Sequence, residues 1–373
     1  MKSPSVSVAI VYDKFLVQGG GERVFEILVD AFPEATLYAL NAKPRVFWEE
    51  KFGRRVYSPP LGGLFASRFL VSALYPLAAL LMCVVRVKAD VVIAYSSTCG
   101  KYVRLDCKKS ILYSNYPNRG LYQPERLIGS RIVRALIRPL ISLMKPIERR
   151  QIIKYDRKIS ISDASRRALL DFAGLDSEIL MPPFNEQALS AASPTSSGLH
   201  YDYFVLVSRL EPEKEVGYVI DAFKSSGYRL RIIGMGSLLA EMRRSCPSNV
   251  EFLGYVDDAT LAQELASAQA LIFPSDIEYS LVPLEAIYMG TPVISYSAPA
   301  MREILIDIDS GDVGANALFY ASKSSDSLRG ALDRFNIVRW NKEAVMDGSK
   351  RFSRAAFITR IREIVYGADG IDK

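Results

Sequence analysis

Short apolar runs recur along the chain: VSVAIVYD, ATLYAL, ADVVIAYSS, KSILYSNYP and RKISIS in the first half, then YFVLVSRL, YRLRIIGMG, NVEFLGYV, ALIFPS and TPVISY in the second. Each is rich in β-branched residues and lacks a polar face, as expected of strands covered on both sides. Between them lie segments with helical spacing, including VFEILVDAF, DASRRALLDFAG, DDATLAQELASA and LVPLEAIYMG. DASRRALLDFAG reads as an Asp-capped helix that stops at Gly174. Strand and helix alternating through short loops predicts an α/β protein with doubly wound parallel sheets. The alternation runs, lapses and restarts, so the expectation is two Rossmann-like domains facing a cleft.

The lapse sets the boundaries. Residues 181–201 are rich in Pro, Ser and Ala without periodicity, and 186–200 reads as the linker. It holds His200, the chain's single histidine, a poor candidate for a catalytic base. The N-terminal domain is then 1–185 and the C-terminal domain 201–349. The amphipathic helix in 350–373 is expected to fold back and join the first domain. A basic helical stretch spans about 126–157 with Pro139 and Pro146 breaking it, and residues 44–68 read as surface helices or loops.

Phe69 to Val85, FLVSALYPLAALLMCVV, is a long apolar run with Pro76 inside and Arg86 and Lys88 beyond it. It falls short of a comfortable membrane span and predicts one helix, buried in the core or lying on a membrane surface.

At 373 residues, two domains fit the length. Net charge is +6, but Lys101 to Arg167 alone holds 17 Lys or Arg against 5 Asp or Glu. Such a block suits an anionic partner, a membrane surface or a phosphorylated substrate, or is simply a solvated face. Nucleic acid is disfavoured because no aromatic-interleaved basic motif accompanies it. Four cysteines lack zinc-site or disulfide-framework spacing, and MKSPS runs straight into a strand without a secretory pattern. The expected setting is cytoplasmic, with peripheral contact on the inner face of the cell membrane.

Candidate chemistry gathers where strands end. After the first strand, Gly20 and Gly21 sit in a glycine loop that opens a helix, a layout that brings a phosphate or sugar near backbone N–H groups. Ser96, Ser97 and Thr98 end one strand, and Ser114, Asn115 and Tyr116 another. In FPSDIEYSLVPLEAIYMGTP an acidic turn precedes a helix carrying Glu285 in its first turn. Such carboxylates either hold sugar or ribose hydroxyls or merely cap the helix and face solvent. Gly234 and Gly236 allow a close backbone approach, or a plain turn.

As a set, these motifs are specific. Ser208-Arg209-Leu210-Glu211-Pro212-Glu213-Lys214 resembles the GRL-x-x-E/Q-K loop of retaining GT-B glycosyltransferases of family four. Phe273-Pro274-Ser275, Val282-Pro283-Leu284-Glu285-Ala286 and Met289-Gly290-Thr291-Pro292-Val293 resemble that family's donor signature, and the Gly19–Arg23 loop and Leu74-Tyr75-Pro76-Leu77-Ala78 a bacterial mannosyltransferase-like branch. The resemblance implies that Arg209 and Lys214 neutralise a diphosphate, that Glu285 binds a ribose hydroxyl, and that Ser280, Leu281, Val282, Gly234, Gly20 and Gly21 approach the donor. It implies no metal, because the two cations supply the positive charge.

Two positions depart from the pattern. The first of the family's paired glutamates falls on Ile277, with Asp276 and Glu278 beside it, so Glu278 is the candidate for the donor sugar. Asn115 stands where the family carries a histidine; it can hydrogen-bond a sugar but cannot transfer a proton. The function expected is retaining transfer from a GDP- or UDP-sugar to a glycan or lipid-linked acceptor, as in surface polysaccharide synthesis. The alternatives are a catalytically silent scaffold, which the changes at 115 and 277 favour, and a sugar-nucleotide epimerase, for which acid and base groups are scarce.

Overall fold

The computed structural model describes residues 6–15, 19–42, 45–65, 67–190, 202–224 and 226–367. The calls on His200 and on 191–200 of the linker lie outside the described residues; Glu186–Ser190 forms a short helix. The chain divides into two compact units, Met1–Pro182 with Ala355–Lys373, and Pro183–Arg354.

In the first unit the strands are β1 (Val8–Tyr12), β2 (Thr36–Ala39), β3 (Val56–Tyr57), β4 (Arg86–Lys88), β5 (Val91–Tyr95), β6 (Arg104–Asp106), β7 (Lys109–Ser114), β8 (Arg157–Ser160) and β9 (Glu178–Ile179). Seven make one sheet in the order β3-β2-β1-β5-β7-β8-β9, and β4 pairs with β6 separately. All these pairings are parallel. Every residue of β1, β5 and β7 is buried, which is why β1, β5 and the centre of β7 read as apolar runs.

The second unit holds β10 (Tyr203–Val207), β11 (Arg229–Ile233), β12 (Val250–Gly254), β13 (Leu271–Phe273), β14 (Val293–Tyr296) and β15 (Ala317–Tyr320). They form one parallel sheet in the order β12-β11-β10-β13-β14-β15. Both sheets are doubly wound: the strand order reverses between β1 and β5 in one, and between β10 and β13 in the other.

The helix Arg354–Tyr366 packs on the first unit. Arg362 donates to the Ala31 carbonyl, and Phe357 lies against Tyr113.

The structure corrects four local expectations. Arg131–Ile153 is one continuous helix that Pro139 and Pro146 do not break. Both prolines sit on the exposed face, seven residues apart, so the carbonyls they leave unpaired at Ala135 and Ser142 face solvent, while Met144, Glu148 and Ile152 anchor the opposite side. The 69–85 run is two helices, Arg68–Ala73 and Tyr75–Cys83, because Pro76 suits a first turn and not a helix interior. The Arg45–Phe52 helix is no mere surface element: Trp48 is buried against Phe15 and Phe52. Finally, Ser162, one residue before Asp163, caps the Asp163–Ala173 helix through the Ser165 N–H, and Gly174 ends that helix in the left-handed conformation.

Candidate functional site

In the second unit the predicted residues collect at the switch point of the sheet. Arg209 and Lys214 lie in the loop that follows β10, and Glu278, Ser280, Leu281, Val282 and Glu285 follow β13. These two strands are hydrogen-bonded neighbours, with Val205 opposite Leu271. In an open parallel sheet, ligands bind outside the carboxyl ends at this reversal of strand order. The two cations and the acidic segment therefore leave the sheet side by side.

The Arg209 loop is fixed by main-chain bonds. Ser208 N–H donates to Ile233, Leu210 N–H to Met235, and Leu238 N–H back to Leu210, at 2.9–3.0 Å. Gly234 (φ +139°) and Gly236 explain how the segments come so close: a Cβ on Gly234 would stand 1.9 Å from the Ser208 carbonyl oxygen, and one on Gly236 2.2 Å from that of Leu210. The close approach that these glycines permit is thus to the Arg209 loop itself. Glu211 accepts from Ser237 N–H and Oγ, which leaves Glu213 as the acid beside Arg209, at 3.4 Å. Both members of that pair are half-exposed, and such pairs contribute little.

After β13 the chain stays buried through Ser275, then runs through half-buried Asp276, Ile277, Glu278, Tyr279 and Ser280 into the Val282–Tyr288 helix. Glu285 is 1% exposed in its first turn. A carboxylate so deep is not a solvated capping group, and the solvent-facing alternative for Glu285 falls away. Thr291, beyond this helix, donates its hydroxyl to the Leu265 carbonyl and ties the start of β14 to the neighbouring helix.

At the corresponding reversal in the first unit, Gly20 and Gly21 open the Gly20–Ala31 helix after β1. A Cβ on Gly21 would lie 2.7 Å from the Tyr12 hydroxyl, so any larger residue has to displace that phenol. Asn115 follows β7, which pairs with β5. Its carbonyl accepts from Ser165 Oγ at 2.5 Å. Burial drives the Tyr95 phenol above its ordinary range, partly offset by a hydrogen bond with Asn115. Among the described residues, Oδ1 of Asn115 and Oγ of Ser97 are buried without a hydrogen-bond partner. Unpaired buried polar atoms are uncommon, and both stand at strand ends that the sequence marks as polar.

Sequence reasoning missed Asp13. Its carboxylate accepts from Ser96 Oγ (2.5 Å), Ser97 N–H (2.8 Å), Thr98 N–H (2.9 Å) and Gly100 N–H (2.7 Å), so the end of β1 shapes the loop after β5. The signal was an Asp closing an apolar strand just ahead of a glycine loop. It also missed buried Lys101 and Glu148, whose loop and helix segments show nothing unusual in sequence. Among the described residues, no group of three or more His, Cys, Asp or Glu is placed to hold a metal ion.

Comparison with known proteins finds similarity over most of the second unit. Residues 202–335, which include Arg209, Lys214 and Glu285, match the family model Glycosyl transferases group 1. A phosphatidyl-myo-inositol mannosyltransferase of Mycobacterium leprae is 30% identical over 169 residues, 42% of this chain and 44% of that protein. The chain covers only about half, 39–57%, of the first curated relatives it matches. Anabaena HepE, solved in complex with UDP-glucose, superposes with a TM-score of 0.66 at 16% identity, covering 97% of this chain and 100% of that one. A sucrose-phosphate synthase of Thermosynechococcus elongatus gives 0.69 at 14% identity, covering 96% and 98%. The architecture is that of GT-B proteins, and the chain is related in sequence to the group 1 glycosyltransferases, mannosyltransferases among them.

Proposed function

We propose that the chain is a retaining glycosyltransferase that moves a sugar from a GDP- or UDP-sugar to a glycan or lipid-linked acceptor, in surface polysaccharide synthesis. The observation that carries this reading is the pairing of the Arg209–Lys214 loop with the Glu278–Glu285 segment on adjacent strand ends at the switch point. The domain limits proposed are 1–185 with 350–373 for the acceptor and 201–349 for the donor.

In this reading Arg209 and Lys214 neutralise the diphosphate as the bond between the sugar's anomeric carbon and the phosphate oxygen breaks. Glu285 holds ribose hydroxyls and Glu278 the donor sugar, while Ser280, Leu281, Val282 and Gly234 shape the donor pocket. Gly20, Gly21 and Asn115 are proposed to contact the sugar. Asn115 offers an unpaired Oδ1 to a hydroxyl but takes no proton. The departing phosphate accepts the acceptor's proton as the new bond forms on the face that the leaving group vacates. Positive charge comes from side chains, and no metal is invoked. The acceptor is membrane-associated, reached by a cytoplasmic protein from the inner face of the membrane; nucleic acid has no part.

The test is nucleotide calorimetry followed by a donor screen read as nucleotide release. Arg209→Ala is expected to weaken UDP or GDP binding by about 1.5–3 kcal/mol, the range for a charged hydrogen bond. Glu278→Ala is expected to lower turnover and leave nucleotide binding intact. If nucleotide binds and no donor is turned over, the silent-scaffold reading, which Ile277 and Asn115 favour, takes its place.

A further inference from the structure

The helix Arg131–Ile153 carries six cations and one acid, Glu148, which is buried and ion-paired to Lys101. The cations therefore face outward uncompensated from within the helix. At about 100° per residue, Arg131, Arg134, Arg138, Lys145 and Arg149 share one edge of the exposed arc. Ile132, Leu136, Leu140 and Leu143, all exposed, form the other edge, and exposed Pro139 and Pro146 lie between.

Against the basic edge is a cavity of about 460 Å³ lined by Arg134, Arg138, Ser142 and Lys145, with Leu121 and Ile141 among its apolar walls. No carboxylate lines it. Arg134 is held by a bond to the Ile128 carbonyl, and the Lys145 ammonium rests over the Tyr122 ring. A second unpartnered apolar face is close: Tyr75 of the Tyr75–Cys83 helix donates to Glu148, while Leu74, Leu77, Leu80 and Val84 on or beside that helix are exposed. No described helix is long and apolar enough to cross a membrane.

We infer that this face seats on an anionic phospholipid bilayer and that the cavity takes one lipid phosphate. Charge complementarity selects that occupant. Three cations converge on a space of headgroup size, and an apolar row beside them reaches the acyl boundary, which a soluble phosphate ester does not require. Arg and Lys stems lie along the surface with their charged ends at phosphate level. The inference deepens the proposed function, because it rests on a membrane-associated acceptor.

The test is flotation of the full chain with vesicles of phosphatidylglycerol or of phosphatidylcholine, with calorimetry against glycerol 3-phosphate and inorganic phosphate. The chain is expected to float with phosphatidylglycerol and not with phosphatidylcholine. Arg138→Gln with Lys145→Gln is expected to weaken partition about thirtyfold, from roughly fivefold per surface charge. Leu136→Ser with Leu143→Ser is expected to weaken it at least about tenfold. Equal binding to both vesicle types, or no effect of either double variant, overturns the inference. So does soluble-phosphate binding without flotation, which reassigns the cavity. Circular dichroism and UDP or GDP binding control for folding. Flotation by a protein that binds no nucleotide keeps this inference and defeats the glycosyl-transfer reading instead.

Discussion

Nζ of Lys101 and Oε1 of Glu148 lie 2.6 Å apart with both side chains excluded from water, 1% and 0% exposed. The other carboxylate oxygen accepts from the hydroxyls of Tyr75 and Tyr102 at 2.7 and 2.8 Å. Lys101 also donates to the Ser97 carbonyl at 3.0 Å. One carboxylate thus joins the Arg131–Ile153 helix to the Tyr75–Cys83 helix and to the segment that follows β5.

Removing one partner of a buried pair leaves a charge with neither water nor counter-ion. Lys101→Met is expected to cost about 3–5 kcal/mol in urea unfolding, and Lys101→Met with Glu148→Leu appreciably less than the single change. A single-variant loss below about 1 kcal/mol would show the pair to be dispensable.

The same cluster sets a high-pH limit. Burial, and then the Glu148 charge, drive the Tyr75 and Tyr102 phenols well above their ordinary range. A raised folded-state value means that the stabilisation is complete below the unfolded value of about 10 and is lost as pH rises past it, because the unfolded chain then releases protons that the folded one keeps. The urea midpoint should fall steadily above about pH 10, and less steeply in Tyr75→Phe. Identical slopes for the two proteins would remove these phenols from the account.

Gly234 combines a φ of +139° with a Cβ position inside the Ser208 carbonyl. Gly234→Ala should destabilise by about 2–5 kcal/mol, from backbone strain and overpacking together. Because the displaced atoms belong to the Arg209 loop, nucleotide binding should weaken in the variant even where it remains folded. Calorimetry at a temperature of full folding would separate the two effects, and unaltered affinity there would break the link between this glycine and Arg209.

Asp13→Ala leaves the N–H groups of Ser97, Thr98 and Gly100 without their acceptor. Each such donor, if it stays buried, costs about 1–3 kcal/mol. In a folded fraction, turnover should drop and the acceptor KM rise while UDP or GDP affinity holds. A loss of nucleotide affinity equal to the loss of turnover would contradict an acceptor-side role.

Most of the fold was legible because parallel strands buried on both faces announce themselves as apolar runs, and β1, β5, β7 and β10 are of that kind. Pro139 and Pro146 misled because their cost depends on whether the freed carbonyls meet water, and one-dimensional spacing does not say which face they occupy. The split at Leu74 was foreshadowed by Pro76, yet unbroken hydrophobicity reads as one element. In the candidate site, Arg209, Lys214 and Glu285 could be singled out because motif residues cluster in sequence, and the structure places their segments on adjacent strand ends. Asp13 and the loop it shapes are more than eighty residues apart, as is shown by its bond to Ser96, and only the parallel pairing of β1 with β5 joins them. Lys101 and Glu148 were hidden for the same reason, since their partnership arises from packing.

Four donors on one carboxylate saturate it. Asp13 has about four lone-pair directions, and Ser96, Ser97, Thr98 and Gly100 occupy them all, so no direction stays open toward an incoming hydroxyl. Asp13 is a keystone of the loop after β5, spent on holding that loop's N–H groups and the Ser96 hydroxyl together.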